Sequence, residues 1–320
     1  MIVVSEAIHD DAWQRLKDQA ELHGGLQGAG DLWSRREDLK ALLADATALV
    51  VRNQTQVNED LLAAAPKLKV VGRVGVGLDN LEQPALKARG IMATWAPGTN
   101  AASVAEYVLG VMLALSRRFA ANTASVQAGA WDRQSGRGIE LLDKTLGIVG
   151  LGDIGSRLAK RAQAFGMDVI AHDPALHGSS FAVQEYGVPL VSLEQLLAQA
   201  HYVSLHAPLL PSTRHLINAD TLAQMRLGSY LVNTSRGGLV DEAALADAVR
   251  AGKLAGAALD VREQEPPTQP DLLAKVNNVI LTPHVAGVTL EASRRTSMHV
   301  VEDVLRVLAG HKPVSAIAGF

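Results

Sequence analysis

Short β-branched runs alternate with amphipathic stretches along this chain. In the first third, Ile2–Ser5, Ala48–Arg52, Lys69–Arg73 and Ile91–Thr94 read as strands, and Asp10–Gln19, Arg36–Leu43, Glu59–Ala64 and Leu81–Lys87 as helices. Strands alternating with helices of about 10–15 residues imply parallel pairing through crossovers. Right-handed crossovers then predict a small doubly wound domain. Pro97-Gly98 interrupts the pattern. A helical stretch follows from Ala101 to Arg118, with Val104, Val108, Val111, Met112 and Leu115 on one stripe. It suits a connector or dimer helix and a core-facing helix equally.

A second alternating run starts near Thr145. Its strands are Leu146–Gly150, Val169–His172, Tyr202–His206, Tyr230–Asn233, Ala257–Val261 and Val279–Leu281, with helices at Ile154–Phe165, Leu193–Gln199, Ala219–Gln224 and Glu242–Ala251. Six strands with crossovers predict a dinucleotide-binding fold. One more helix, Leu290–Leu308, follows the last strand and is expected to return to the first domain.

Composition narrows the function. The 320 residues suggest two domains. Hydrophobic residues make up 48% and charged ones 20%, which suits packed cores. The net charge of −3 argues against general nucleic-acid binding, which needs a basic face. With no cysteine, disulfides, thiolate metal sites and cysteine nucleophiles are excluded, and no metal site is expected. No apolar run nears the ~20 residues of a membrane span, and the N-terminus lacks the basic segment of a signal peptide. A cytoplasmic protein without membrane or nucleic-acid partners is expected.

Gly150-Leu151-Gly152-Asp153-Ile154-Gly155 reads G-x-G-x-x-G between a predicted strand and a predicted helix. Gly150 allows the tight turn, Gly152 the approach of a pyrophosphate, and Gly155 close helix packing. The helix N-terminus would face the phosphates. Asp173 follows the next strand, near the ~20-residue spacing expected of the acid that binds the ribose hydroxyls. A carboxylate there would repel a 2′-phosphate, so NAD is favoured over NADP.

Three further segments follow predicted strands: Asn233-Thr234-Ser235-Arg236, Glu263-Gln264-Glu265 and Thr282-Pro283-His284. Ligands of open parallel sheets bind beyond the carboxyl ends of the strands, so an Arg, a Glu and a His could converge there. Their chemistry suits a 2-oxo acid. Arg presents a planar fork to a carboxylate, His can give and take the proton of the 2-oxo group, and a carboxylate beside that His favours the imidazolium.

With Val71-Gly72-Arg73-Val74-Gly75-Val76-Gly77-Leu78-Asp79-Asn80, Ser103-Val104-Ala105-Glu106-Tyr107, His206-Ala207-Pro208-Leu209, Arg236-Gly237-Gly238-Leu239-Val240-Asp241-Glu242, Ala258-Leu259-Asp260-Val261 and Pro283-His284, nearly the whole chain resembles the D-2-hydroxyacid dehydrogenase family. It is most similar to the phosphoglycerate-dehydrogenase-like branch, in a short form without the regulatory C-terminal domain, so serine feedback is not expected. The resemblance implies an α/β fold of two doubly wound parallel-sheet domains. One is a Rossmann cofactor domain, residues 98–287; the other is a smaller, flavodoxin-like, discontinuous substrate domain, residues 1–97 plus 288–320. A homodimer built on the cofactor domain is also implied.

In that resemblance Arg236 binds the substrate carboxylate, His284 is the acid/base and Glu265 its partner. Asp153 and Ile154 lie near the pyrophosphate, Thr234 and Asp260 near the nicotinamide, and His206, Ala207 and Pro208 along the cofactor. Backbone N–H groups of Val74 and Gly75 could cradle a carboxylate, with Val76 on the cofactor side and Asn100 at the domain crossing. Arg52, Arg73 and Arg133, the last from a partner subunit, match positions that meet a distal phosphate in this branch. A substrate such as 3-phosphoglycerate or 3-sulfolactate is therefore expected. Two departures stand out: Arg262 where the family often has an aromatic residue, and Ser235 for a common alanine. Neither falls on the three chemical roles. Hydroxypyruvate/glyoxylate reductase and a non-catalytic NAD-sensing corepressor are the alternatives. Formate dehydrogenase is disfavoured because Pro283, not Gln, precedes His284.

Overall fold

The structure, a computed structural model, describes residues 1–24, 31–267 and 271–319. The chain divides into two units: residues 1–100 with the segment beginning at Val288, and Ala101–Gly287.

The first unit is a parallel sheet of β1 (Ile2–Val4), β2 (Leu22–Gly24), β3 (Ala48–Val51), β4 (Val70–Arg73) and β5 (Met92–Thr94), with helices α1 (Asp10–Lys17), α2 (Arg36–Leu43), α3 (Glu59–Ala63) and α4 (Gln83–Ala88) between the strands. The strand order β2-β1-β3-β4-β5 is the flavodoxin-like order. Its strands read as unbroken apolar runs because both faces are covered. Along β1, Ile2 and Val4 enter one core and Val3 the other. Edge strand β2 escapes the sequence reading because Leu22-His23-Gly24 is short, half-buried and has no apolar alternation.

The second unit opens with α5 (Ala101–Ser116) and α6 (Phe119–Gln127). Then come β6 (Thr145–Val149), α7 (Asp153–Ala164), β7 (Asp168–His172), α8 (Phe181–Tyr186), α9 (Leu193–Gln199), β8 (Tyr202–Leu205), α10 (Ala219–Gln224), β9 (Ser229–Asn233), α11 (Glu242–Arg250), β10 (Leu254–Leu259) and β11 (Val279–Leu281). The strand order is β11-β10-β9-β8-β6-β7, all parallel. A parallel bridge from Ala171 to Leu190 extends it beyond β7, which gives the strand order of the Rossmann fold at that edge. All six predicted strands are present. Of the predicted stripe, Val108, Val111, Met112 and Leu115 are buried with residues of α7 and the sheet, so α5 faces the core of its own unit, and Val104 is buried as well. α6 buries none of its residues, and its Ala-rich, unpatterned sequence concealed it, as the shortness of α8 concealed that helix.

The last helix, α12 (Leu290–Leu308), belongs to the first unit. Thr289 caps it by accepting from the Ala292 N–H. It rests on β4 because residue 72 is glycine: a Cβ there would lie 2.6 Å from Val304 Cγ2 and 2.7 Å from Val300 Cγ1. The carboxylate of Asp303, also buried, accepts the N–H groups of Val314 and Ser315 at 2.6 and 2.8 Å. This holds the chain's end antiparallel to β5 and covers an otherwise open sheet edge. Among the described residues no helix is long and apolar enough to cross a membrane.

Gly72→Ala should therefore destabilise the protein by about 1–3 kcal/mol, the cost of overpacking a filled core. Val300→Ala should recover part of that loss when combined with it. Urea unfolding of the two single variants and the double variant measures the coupling, and additive losses would show that α12 does not depend on this contact.

Candidate active site

The turn after β6 gives each glycine a different task. Gly150 has φ +95°, and a Cβ on it would come within 2.8 Å of the His206 carbonyl at the exit of β8. A Cβ at Gly155 would collide with the carbonyl of Gly150. Gly152 is the N-cap of α7, and no non-neighbouring atom lies within 4 Å of its missing Cβ. The first N–H groups of a helix have no intrahelical acceptor, so those of Asp153 and Ile154 present the positive dipole end to this open space.

Around the turn, polar groups await partners. Asp173 Oδ2 accepts from the Leu151 N–H at 2.9 Å and Oδ1 from the Ala175 N–H at 3.0 Å. A carboxylate has about four acceptor sites, so capacity remains for hydroxyl donors. His206 Nε2 pairs with Ser204 Oγ at 2.9 Å, while its buried Nδ1 and the buried Thr234 Oγ1 have no protein partner. Burial pulls the His206 pKa down to about 4, so the ring is neutral. An open helix N-terminus, a nearby carboxylate and two orphaned polar atoms at strand ends fit a dinucleotide. Gly150, Gly152, Asp153, Ile154, Gly155, Asp173, His206, Ala207, Pro208 and Thr234 share this end of the sheet with the residues below.

The loop after β9 carries Arg236. Asn233 Nδ2 donates to the Arg236 carbonyl at 2.9 Å, and the Ser235 N–H donates to Asn233 Oδ1 at 3.0 Å. Ser235 Oγ donates to the Ala207 carbonyl at 3.0 Å. The hydroxyl that departs from the family pattern thus ties the Arg236 loop to the loop after β8.

The loop after β11 carries His284 and is organised by Asp260, which is 1% exposed. Asp260 Oδ1 accepts from Thr282 Oγ1 at 2.6 Å and the Val285 N–H at 2.8 Å, and Oδ2 from the Ala286 N–H at 2.8 Å. His284 sits between these anchors with φ 56°, its own N–H donating to the Asp260 carbonyl at 2.8 Å. Thr282 donates its one hydroxyl hydrogen to Asp260, so Tyr107 must donate to Thr282, at 2.5 Å. Tyr107 and Thr282 received no role in the sequence reading; an ordinary helical Tyr and a strand-end Thr give no signal of their pairing.

His284 Nδ1 meets Glu265 Oε2 at 2.8 Å, with the two side chains 49% and 39% exposed. The hydrogen bond to Glu265 raises the His284 pKa against the opposing effect of burial, with Glu265 and Asp260 adding attraction and Arg236 repulsion. Burial pushes the Glu265 carboxyl up, but donation from His284 and the Arg262 N–H, with the charges of His284 and Arg236, leaves it lowered overall. Arg262 adjoins the pair: its N–H donates to Glu265 Oε1 at 3.0 Å.

In the first unit, Val51 and Arg73 are paired in register across β3 and β4, which brings Arg52 and Arg73 to adjacent strand ends. The buried carboxylate of Glu6 accepts the N–H groups of Arg52, Asn53, Gln54 and Thr55 at 2.9–3.1 Å and shapes that loop. Arg52 Nη1 donates to the Ala7 carbonyl at 3.1 Å. Gly75 has φ +151°, and a Cβ there would collide with the Arg73 guanidinium, which folds back toward the Val74 carbonyl. Val76 is half-buried in the same loop, and the buried Oδ1 of Asn100 has no partner. Arg133 is exposed in the segment after α6 of the second unit.

Residues 109–286 match the family model described as D-isomer specific 2-hydroxyacid dehydrogenase, NAD binding domain. The chain is 42% identical over 312 residues to a D-3-phosphoglycerate dehydrogenase of Methanocaldococcus jannaschii, covering 97% of this chain and 57% of that protein. It thus spans little more than half of that relative. It is 40% identical to a hydroxypyruvate reductase of Thermotoga maritima, over 95% of this chain and 97% of that one. It is 48% identical to an (S)-sulfolactate dehydrogenase of Chromohalobacter salexigens, over 83% and 85% of the two chains.

The ion pair has a defined pH window. The raised pKa of His284 stabilises the fold below the ordinary value of 6.5, and this is lost as pH climbs through the raised value. The lowered pKa of Glu265 stabilises above the ordinary 4.5, and this is lost as pH falls through the lowered value. In Glu265→Gln the His284 titration midpoint, followed by NMR of its ring protons, should fall toward 6.5. The accompanying stability loss should be small, since the pair is half exposed, and concentrated between pH 4.5 and 6.5. An unmoved midpoint would show that Glu265 does not govern the imidazole.

Proposed function

The chain belongs to the D-2-hydroxyacid dehydrogenase family, and from that premise we propose that it interconverts a D-2-hydroxy acid and its 2-oxo acid with NAD. The observation that carries the reading is the His284–Glu265 pair, held on one sheet end with the Arg236 loop and the Gly150–Gly155 turn. NAD supplies or accepts the hydride at C2. Gly152, Asp153 and Ile154 would hold its pyrophosphate, Asp173 its ribose hydroxyls, and Thr234, Asp260 and the loop His206-Ala207-Pro208 its remainder. Asp173 favours NAD because a 2′-phosphate would meet its charge.

Arg236 holds the substrate carboxylate through its planar fork. His284, whose protonated form Glu265 favours, gives its proton to the 2-oxo oxygen during reduction and takes it back during oxidation. Reduction therefore slows as pH rises through the raised His284 pKa, and oxidation speeds up. Val74, Gly75 and Asn100 are assigned to substrate binding and Val76 to the cofactor. We place the enzyme in the cytoplasm as a homodimer. The dimer reading is supported by Phe119, Val126, Trp131, Ile139 and Leu142, all exposed apolar side chains on α6 and the segment after it. Arg133 lies in the same segment.

The substrate we favour carries a second anion on C3, taken by Arg52, Arg73 and a partner's Arg133. The phosphoglycerate and sulfolactate relatives support this; the Thermotoga maritima relative, matched nearly end to end, favours hydroxypyruvate as the second reading. A non-catalytic NAD sensor would have no use for the intact acid/base pair.

His284→Ala should lose about 10²–10⁴-fold in kcat for the best 2-oxo acid while NADH binding survives. Activity within a few-fold of the parent would remove His284 from the chemistry. Arg52→Ala should raise KM for 3-phosphohydroxypyruvate or 3-sulfopyruvate about 10- to 150-fold, the worth of one buried charge-assisted hydrogen bond. Hydroxypyruvate and glyoxylate should be barely affected. Equal losses for both classes would return the arginines to structural roles.

A further inference from the structure

Arg262 leaves the last turn of backbone after β10 and is 9% exposed, an unusual place for a charge. Its guanidinium makes two forks. Nε and Nη2 donate to the two oxygens of Glu242 at 3.0 and 2.7 Å. Nη1 and Nη2 donate to the two oxygens of Asp271, each at 2.7 Å. Both carboxylates are themselves fixed: Glu242 Oε1 accepts the Glu263 N–H at 2.8 Å, and Asp271 Oδ1 the Leu273 N–H at 2.9 Å.

The sequence positions of the two partners matter. Glu242 begins α11, directly after the turn that follows Arg236. Asp271 follows Glu265 in the sequence. The guanidinium therefore clamps the chain downstream of Arg236 to the chain downstream of Glu265. The backbone of Arg262 touches the same two segments: its N–H donates to Glu265 Oε1 at 3.0 Å, and a Cβ at Gly237 would collide with its carbonyl.

We propose that Arg262 is a positioning residue, whose double fork fixes the separation of the loops that carry Arg236 and Glu265 and thereby the orientation of Glu265 toward His284. The inference rests on the proposed acid/base reading of His284 for its catalytic consequence, but its geometric content stands apart from that. Lysine could supply the charge but not two coplanar forks. The groups that face His284 are Glu265, Asp260 and Arg236, and only Glu265 accepts a hydrogen bond from the Arg262 backbone.

Removing Arg262 alone leaves two largely covered carboxylates without their cation and destabilises the protein, so R262M is paired with the neutral triple variant R262M/E242Q/D271N, which removes every charge of the cluster. R262K tests the fork. In each folded variant the His284 titration midpoint is read by NMR, NADH affinity by fluorescence, and kcat/KM by reduction of hydroxypyruvate and 3-phosphohydroxypyruvate. The expected result for the triple variant is a lowered His284 midpoint, unchanged NADH affinity and a loss in kcat/KM on the order of 100-fold, as for a small misplacement of catalytic groups. R262K should fall between it and the parent. A triple variant or R262K with the parent's midpoint and kcat/KM overturns the inference. If the parent itself reduces no 2-oxo acid, the functional reading fails, while the titration still decides whether Arg262 positions Glu265.

Discussion

Asp260 holds a carboxylate that is almost completely removed from water, and such a group must be met by donors wherever the chain can supply them. The chain supplies the Thr282 hydroxyl and the N–H groups of Val285 and Ala286. Those bonds fold the segment after β11 over the end of β10 and leave His284 in a left-handed conformation between two anchors. The residue is thereby held through its backbone, and its imidazole is oriented by the bond to Glu265. Its ring stays half exposed, able to meet a substrate, while its position is set from underneath by Asp260 and, through Thr282, by Tyr107 on α5.

Charge is distributed around this anchor at three depths. The Arg262 cluster is largely covered, and the Arg262 fork holds the Asp271 carboxyl down at about 2. Glu265 and His284 are half exposed and titratable. Arg236 lies on the next loop, close enough to lower both of their pKa values yet weaker in each case than their mutual hydrogen bond. A doubly forked ionic frame thus lies beside a pair whose protonation can change. The same logic appears in the first unit, where the carboxylate of Glu6 gathers four backbone N–H groups and shapes the loop of Arg52.

Much of the fold was legible because parallel strands covered on both faces leave unbroken apolar runs, and because turns at their ends need glycine. All six strands of the second unit, α12 to its terminal residues, and the turn from Gly150 to Gly155 follow from those signals. The missed elements are those without a pattern: β2 is three residues long with a histidine at its centre, α6 buries nothing and therefore has no apolar stripe, and α8 is only six residues long. At the site, Arg236, Glu265 and His284 were legible as polar residues following strands. Their supports were not, because nothing local in the chain shows that Tyr107 meets Thr282, that Thr282 meets Asp260, or that Arg262 meets Glu242 and Asp271.

The sequence by itself determined the alternation of elements, the glycine turn, the acid after β7 and the identity of the residues able to do acid–base chemistry, since each depends on local periodicity or on side-chain type. Only the tertiary structure decided that α5 packs inward, that Ser235 bonds the neighbouring loop, that Thr282 relays Tyr107 to Asp260, and that Arg262 clamps two carboxylates beside Glu265. Those outcomes depend on which strand ends become neighbours, and a hydrogen bond of 3 Å between residues tens of positions apart leaves no trace in the order of the chain.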